Sequence, residues 1–287
     1  MLRIAWITLP ITAGAAVSSS IDDWSSAPRA VAEAMLWGAW ALGLLAVLAP
    51  RPLSLTALRV IAPAFAVVAV LAAVDGDAST SASIAAVVAT VATLLLTSGH
   101  DIARAAAAAG AYGDEQRFLL RTPPALFLAP LPVARLAVVA SVVVPPLLLA
   151  DEQWVLGIVL VVLALPVVTV LARALHGLSR RWAVLVPAGF VLVDPLTLSD
   201  PVLFLREHVA ALQAVSAGGA PDDVMDLRLG AAAGTVSARF DEPAELQRSM
   251  PGRRGAAVTA QASTIWFAVA QRDEFLERAQ SKRIRTA

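Results

Sequence analysis

The chain has 287 residues, of which 58% are hydrophobic and 15% charged, with a mean hydropathy of +0.74. Soluble chains average roughly 45–50% apolar and 25% charged residues, so this composition is that of a membrane protein. Lys and Arg (22) balance Asp and Glu (22) and cysteine is absent, which argues against nucleic acid as a partner and excludes disulfide frameworks, thiolate metal sites and thiol nucleophiles.

A bilayer core about 30 Å thick needs roughly 20 apolar residues per helical crossing. Six stretches meet that need: approximately Leu2 to Val17, Ala30 to Ala49, Ala57 to Val74, Ser81 to Ser98, Pro124 to Ala150 and Trp154 to Ala172. The connections after the first, third and fifth are acidic and hold a single arginine, Arg29. The opposite side holds nine: Arg3, Arg51, Arg59, Arg104, Arg117, Arg121, Arg173, Arg180 and Arg181. By the positive-inside rule both termini are cytoplasmic, and the Arg-over-Lys bias of 21 to 1 points to a GC-rich bacterium and its cell (inner) membrane. Trp24 and Trp154 fall at the outer boundary, and Trp6 and Trp182 near the inner one. The charged start, apolar run and small residues of the first span also match the layout of a signal peptide; its cleavage would leave five spans and a cytoplasmic C-terminus. Small residues recur along the third span (Ala62, Ala66, Ala69, Ala73) and the fourth (Ala85, Ala89, Thr93, Thr97), a spacing that lets helices of one chain pack closely.

Between the fourth and fifth spans, residues 100–124 form a long connection with an Ala-rich helix followed by "YGDEQRFLLR". Loops of this length are functional or disordered. Its Arg117 and Arg121 are candidates for contact with a partner or with the membrane surface.

After the sixth span, "RRWAVLVPAGFVLVD" is too short to cross a bilayer, and it reads as two strands joined at Ala188-Gly189. Further strands are expected at Val202 to Leu205, in "MDLRL", in "GTVSARF" and in "TIWFAV", with a loop over 217–223 and a break at "PGRRG". "DEPAELQRS" reads as a helical turn, and "QRDEFLERAQSKR" as a terminal helix with Phe275, Leu276 and Ala279 on one side. The expected architecture is an α-helical polytopic bundle of six transmembrane helices over residues 1–175. A small α+β, strand-rich cytoplasmic domain with a C-terminal helix follows over 176–287.

That element order, the "RRWAVLVPAGFVLVD" hairpin and the "RDEFLERA" helix resemble bacterial pleckstrin-homology-like domains over roughly residues 180 to 282. The resemblance implies a bent antiparallel barrel or sandwich capped by the helix. The whole chain also resembles multi-pass membrane proteins of actinobacteria, a likeness that implies location and architecture and no activity.

Residues able to carry chemistry are sparse. His100, His176 and His208 share no helical spacing, so neither a metal nor a cofactor is expected. "TSGHD" places Ser98 beside His100 in a six-span chain, but rhomboid-type proteases need a Gly-x-Ser nucleophile motif and a histidine on a later helix, and neither is present. "GAAAG" and "GRRG" lack the Lys-Ser/Thr of a phosphate loop. Two charges inside apolar stretches remain. Arg135 lies either at depth, contacting an anion or another helix, or at the start of the true span if the proline-rich "RTPPALFLAPLP" lies along the interface. Glu33, one turn after Arg29, is either a local ion-pair partner or a transport carboxylate.

These residues predict a non-enzymatic membrane protein with a cytoplasmic module. Its partner would be a cytoplasmic protein, or anionic lipid of the inner leaflet reached through Arg253, Arg254, Lys282, Arg283 and Arg285. The rival expectation is a permease or exporter of an envelope component working through a polar site near Arg135, in spans interrupted by Pro10, Pro63, Pro145, Pro146 and Pro166.

Overall fold

The computed structural model describes residues 1–75, 78–249 and 257–287. They divide into two compact units: a helical unit of Met1–Ala106 with Leu131–His176, and a sheet unit of Ala107–Pro130 with Gly177–Ala287.

Helices α1 (Leu2–Ser19), α2 (Ser26–Leu48), α3 (Pro52–Val74) and α4 (Thr80–Ser98) form the first four long apolar elements. Local chemistry sets their starts. Pro52 occupies the first position of α3, where no N–H is needed, and the Ser79 hydroxyl caps α4 by accepting from the Ala82 N–H at 3.3 Å. A short helix α5 (His100–Ala108) follows, then strand β1 (Gln116–Leu119) and one turn of helix, α6 (Ala125–Leu128). Two more long helices are α7 (Pro130–Ala150) and α8 (Trp154–Leu178). All six long helices have the length and composition to cross a membrane.

Their packing is uneven. α4 lies against α1 and α3, and α2 against α3. Between 17 and 28% of each of these four helices is buried, against 6% for α7 and for α8. The close seam on α4 is Ala86, Thr90, Thr93 and Thr97, with Ala85 exposed, and on α3 it runs through Ala62, Ala66, Ala69 and Ala72. A strict four-residue repeat drifts around a helix of 3.6 residues per turn, so the real seams mix steps of three and four and part from the predicted ones at Ala73, Ala85 and Ala89. The buried threonines satisfy their hydroxyls within their own helix, as in Thr90 Oγ1 to the Ala86 carbonyl at 2.8 Å.

Trp6 departs from the interfacial placement expected for it. It is fully buried and its indole N–H donates to the Trp40 carbonyl, while the Trp40 indole donates back to the Trp6 carbonyl, both at 2.9 Å. Pro10 explains why that second acceptor is free, because a proline has no N–H to give to the carbonyl four residues before it. Gly43 completes the fit: a Cβ there would stand 1.8 Å from the Trp6 ring.

The sheet unit contains β2 (Trp182–Val186), β3 (Gly189–Val193), β4 (Val202–Leu205), β5 (Val209–Ala214), β6 (Met225–Asp226), β7 (Thr235–Ser249), β8 (Ala257–Ala268) and the C-terminal helix α9 (Arg272–Ser281). One sheet has the order β1-β2-β3-β4, the other β5-β7-β8-β6. The expected hairpin is present, with its turn at Pro187-Ala188, one residue before the expected junction, and Val186 paired to Gly189. Glycine is required at 189 because a Cβ would fall 2.0 Å from the Phe204 carbonyl oxygen of β4.

Four expectations need correction. Part of the long connection at 100–124 is a strand of the sheet unit: β1 pairs antiparallel with β2, Gln116 opposite Leu185 and Leu119 opposite Trp182. The sheet unit therefore begins before α7, and a single boundary near residue 176 does not contain it. "DEPAELQRS" is strand, the distal part of β7 paired with β8. Its Pro243 is tolerated because it sits in the register break between Arg239 and Ala244, where the ladder is interrupted. "MDLRL" keeps only two strand residues, pairing parallel with β8, before Arg228 turns back onto Asp226. Trp182 is no boundary residue but the start of β2, buried under the Arg117 guanidinium at 5.2 Å. The predicted break at "PGRRG" lies outside the described residues.

Both sheets and α9 share one core. A run of phenylalanines threads it: Phe240, Phe204, Phe190, Phe267, Phe275 and Phe118, with successive ring centroids 4.8 to 5.8 Å apart. Phe275 and Ala279 of α9 are fully buried, and Leu276 packs against the same core.

Candidate functional site

α3 begins at Pro52 and α7 at Pro130; Arg59 and Arg135 lie seven and five residues into them. At about 1.5 Å per residue, each Cα is roughly 8–10 Å along its helix from the start. Both side chains are partly buried. The Nε of Arg135 is buried with no hydrogen-bond partner, and neither arginine has an ion pair among the described residues. The neighbouring level is fixed by a contact between α3 and α8: Thr56 Oγ1 and His176 Nδ1 are 3.2 Å apart. Arg135 thus sits one and a half turns inside a continuous helix.

Glu33 is placed elsewhere. Arg29 bridges it at 3.0 Å and Asp22 at 2.9 Å, which makes the local ion pair expected from the i, i+4 spacing. Glu33 also lines the rim of a cavity of about 290 Å³ between α1, α2, α3 and α4, walled by Leu9, Ala13, Trp37, Trp40 and Phe65.

The basic candidates of the sheet unit are mostly tied into its own framework. The Arg117 guanidinium donates to the Gly110 carbonyl and to Glu115 at 3.2 Å. The Arg121 backbone is stitched across both chain segments, its N–H donating to the Ala268 carbonyl and its carbonyl accepting from Arg181 Nη1, both at 2.8 Å, while its guanidinium donates to the Ala270 carbonyl at 3.4 Å and keeps a buried, unpartnered Nε. Lys282 Nζ donates to the Asp114 carbonyl at 2.7 Å, and Arg285 to Asp241 at 2.7 Å and the Glu207 carbonyl at 2.9 Å. The tail beyond α9 is itself ordered, with Ile284 buried and Thr286 bridged to Leu212 of β5. Arg283 is exposed, with no such bond among the described residues. Arg253 and Arg254 lie outside the described residues.

Two ion pairs escaped sequence reasoning. Arg181 meets Asp194 in a bidentate bridge of 2.6 and 2.8 Å with both side chains buried, and Asp194 also accepts the Leu196 N–H. A two-residue turn that pairs Trp182 with Val193 necessarily sets Arg181 against Asp194, so the hairpin already contained this signal. Arg228 grips Asp226 at 2.9 and 2.7 Å and lies 4.6 Å from the centre of the Trp266 ring. The hydrogen bonds from Arg228 hold the Asp226 carboxyl below the usual carboxylate range.

The histidines stay apart in role: His176 bonds Thr56, His208 is exposed beside Glu207, and His100 is exposed. Among the described residues no three His, Asp or Glu side chains gather as metal ligands. Comparison with family models, with curated proteins and with solved structures finds nothing similar to this chain.

Proposed function

We propose that the protein is a non-enzymatic integral membrane protein of the bacterial inner membrane, with both termini cytoplasmic and a sheet unit that docks a cytoplasmic protein at the inner leaflet. The observation that carries this reading is the interleaving of the chain: it contributes β1, leaves to make α7 and α8, and returns to lay β2 beside β1. A module whose chain is interrupted by a membrane hairpin is tethered to the membrane helices by three chain connections, which suits a scaffold or regulator. The meander of β1 to β4, the second sheet and the closing α9 support the likeness to pleckstrin-homology-like domains. Internal bonding of the Arg117, Lys282 and Arg285 side chains favours a protein partner over a basic lipid-binding patch. The permease reading draws on a different observation, the buried and unpartnered Nε of Arg135.

A photocrosslinking residue at Leu203, which is exposed on the edge strand β4, tests the proposal in cells. A discrete protein adduct is expected, and lipid adducts alone would overturn the protein-partner reading. Reporter fusions at Ala287 test the placement separately: cytoplasmic behaviour is expected, and periplasmic phosphatase activity would reverse the topology.

A further inference from the structure

We propose that the cavity between α1, α2, α3 and α4 binds a small organic cation, an ammonium ion carried on an apolar body. The site lies wholly within the helical unit and does not depend on what the sheet unit binds.

The cavity is framed by helices that pack on one another, α4 against α1 and α3, and α2 against α3. Its volume of about 290 Å³ is near the lower end of small-molecule sites, roughly 300 Å³. The walls are apolar and include three aromatic rings, Trp37 and Trp40 of α2 and Phe65 of α3. The two indoles stand with centroids 5.6 Å and planes 87° apart, so their faces meet as a corner. An aromatic face attracts a cation through its quadrupole, and several faces set around one point are how proteins hold quaternary ammonium groups. Trp40 is fixed by its bond to the Trp6 carbonyl, whereas Trp37 remains 57% exposed and has a face to offer a ligand.

Charge at the rim selects the sign. Among the described residues Glu33 alone brings a charge to the lining, and Arg29 engages it through Oε1. The bordering segment from Ile21 to Glu33 holds Asp22, Asp23 and Glu33 against one cation, Arg29, and so stays net negative. The Trp40 N–H and the Thr90 hydroxyl are already given to carbonyls, so an anion would meet neither a basic side chain in the lining nor these donors. A neutral molecule would fill the walls and leave the excess charge of the rim unanswered. A cation with an apolar body answers both.

Full-length protein in maltoside micelles is dialysed to equilibrium against labelled benzyltrimethylammonium, with protein-free micelles as the blank. Saturable binding of a single ion per chain is expected, and its absence would overturn the proposal. Neopentylbenzene has the same shape without the charge, and it should compete about tenfold less well. Equal competition would reduce the site to an apolar void and overturn the proposal. Glu33→Gln and Trp37→Leu should each weaken binding by about tenfold, the scale of a desolvated ion or cation–π contact. Both side chains are exposed, so neither change removes a packed group, and thermal unfolding should match the wild type. Undiminished binding in either variant would overturn the proposal equally. The wild-type and competition arms decide the matter even if a variant does not fold.

Discussion

In the helical unit, contacts are made at the level of the backbone: Gly43 gives room to Trp6, Pro10 frees a carbonyl for Trp40, and threonines bond within their own helix. In the sheet unit, contacts are made by large and charged side chains: six phenylalanines in succession and the buried Arg181–Asp194 bridge. The contrast is the one that the proposed membrane placement of the helices predicts. Lipid offers no hydrophobic drive between helices, so close approach and polar complementarity decide which helices associate. Water drives apolar side chains together, so a small domain gains most from aromatic burial. The contrast extends inside the helical unit, where α1 to α4 bury a larger share of their residues than α7 and α8.

The comparison breaks most sharply at Arg181–Asp194. Asp194→Ala leaves a buried guanidinium unpaired and should cost about 3–5 kcal/mol, seen as earlier thermal unfolding followed at Trp182 and Trp266. Replacing both partners by apolar residues should recover much of that loss. If the single variant is silent, the sheet unit does not depend on its buried charges.

A smaller effect is expected in the helical unit. Gly43→Val drives a side chain into the Trp6 ring and should cost about 1–3 kcal/mol, with loss of the Trp6 and Trp40 hydrogen bonds visible in indole fluorescence. Unchanged emission would show that Trp6 does not pack against Gly43.

How much of this was legible in sequence follows the same division. The six long helices were legible because length and hydropathy are local properties, and their ends moved by only a few residues. The packing faces were legible in part: Ala62, Ala66, Ala69, Thr93 and Thr97 are buried as expected, whereas Ala85 and Ala89 leave the seam because a four-residue spacing and a 3.6-residue turn part company within two turns. β1 was illegible because its partner lies some sixty residues later, beyond two apolar helices, and pairing at that range leaves no local pattern. "DEPAELQRS" was misread because a proline after acidic residues signals a helix start, whereas here the long β7–β8 ladder overrides it at a register break. Of the candidate site, Arg135 was legible as a charge within an apolar stretch.

The smallest predicted effect is pH-dependent. The Asp226 carboxyl titrates below its ordinary value when folded, so its stabilising contribution is complete above the unfolded pKa of about 3.9 and is lost as pH falls through the lower folded value. Asp226→Asn should therefore narrow the stability difference between neutral pH and about pH 3, modestly, because the side chain is partly exposed. An unaltered acid profile would remove Asp226 from the account.

The central claim is that the sheet unit is assembled from two segments separated in sequence by α7 and α8. Arg117 and Val184 face each other across the β1–β2 pair, at a separation typical of cross-strand disulfides, and the native chain has no cysteine. In an Arg117→Cys, Val184→Cys double variant, mild oxidation should join the two segments. They should then stay linked after proteolysis between α7 and α8 and separate on reduction. Thiols that remain free under oxidation, with fragments that part without reductant, would contradict the claim.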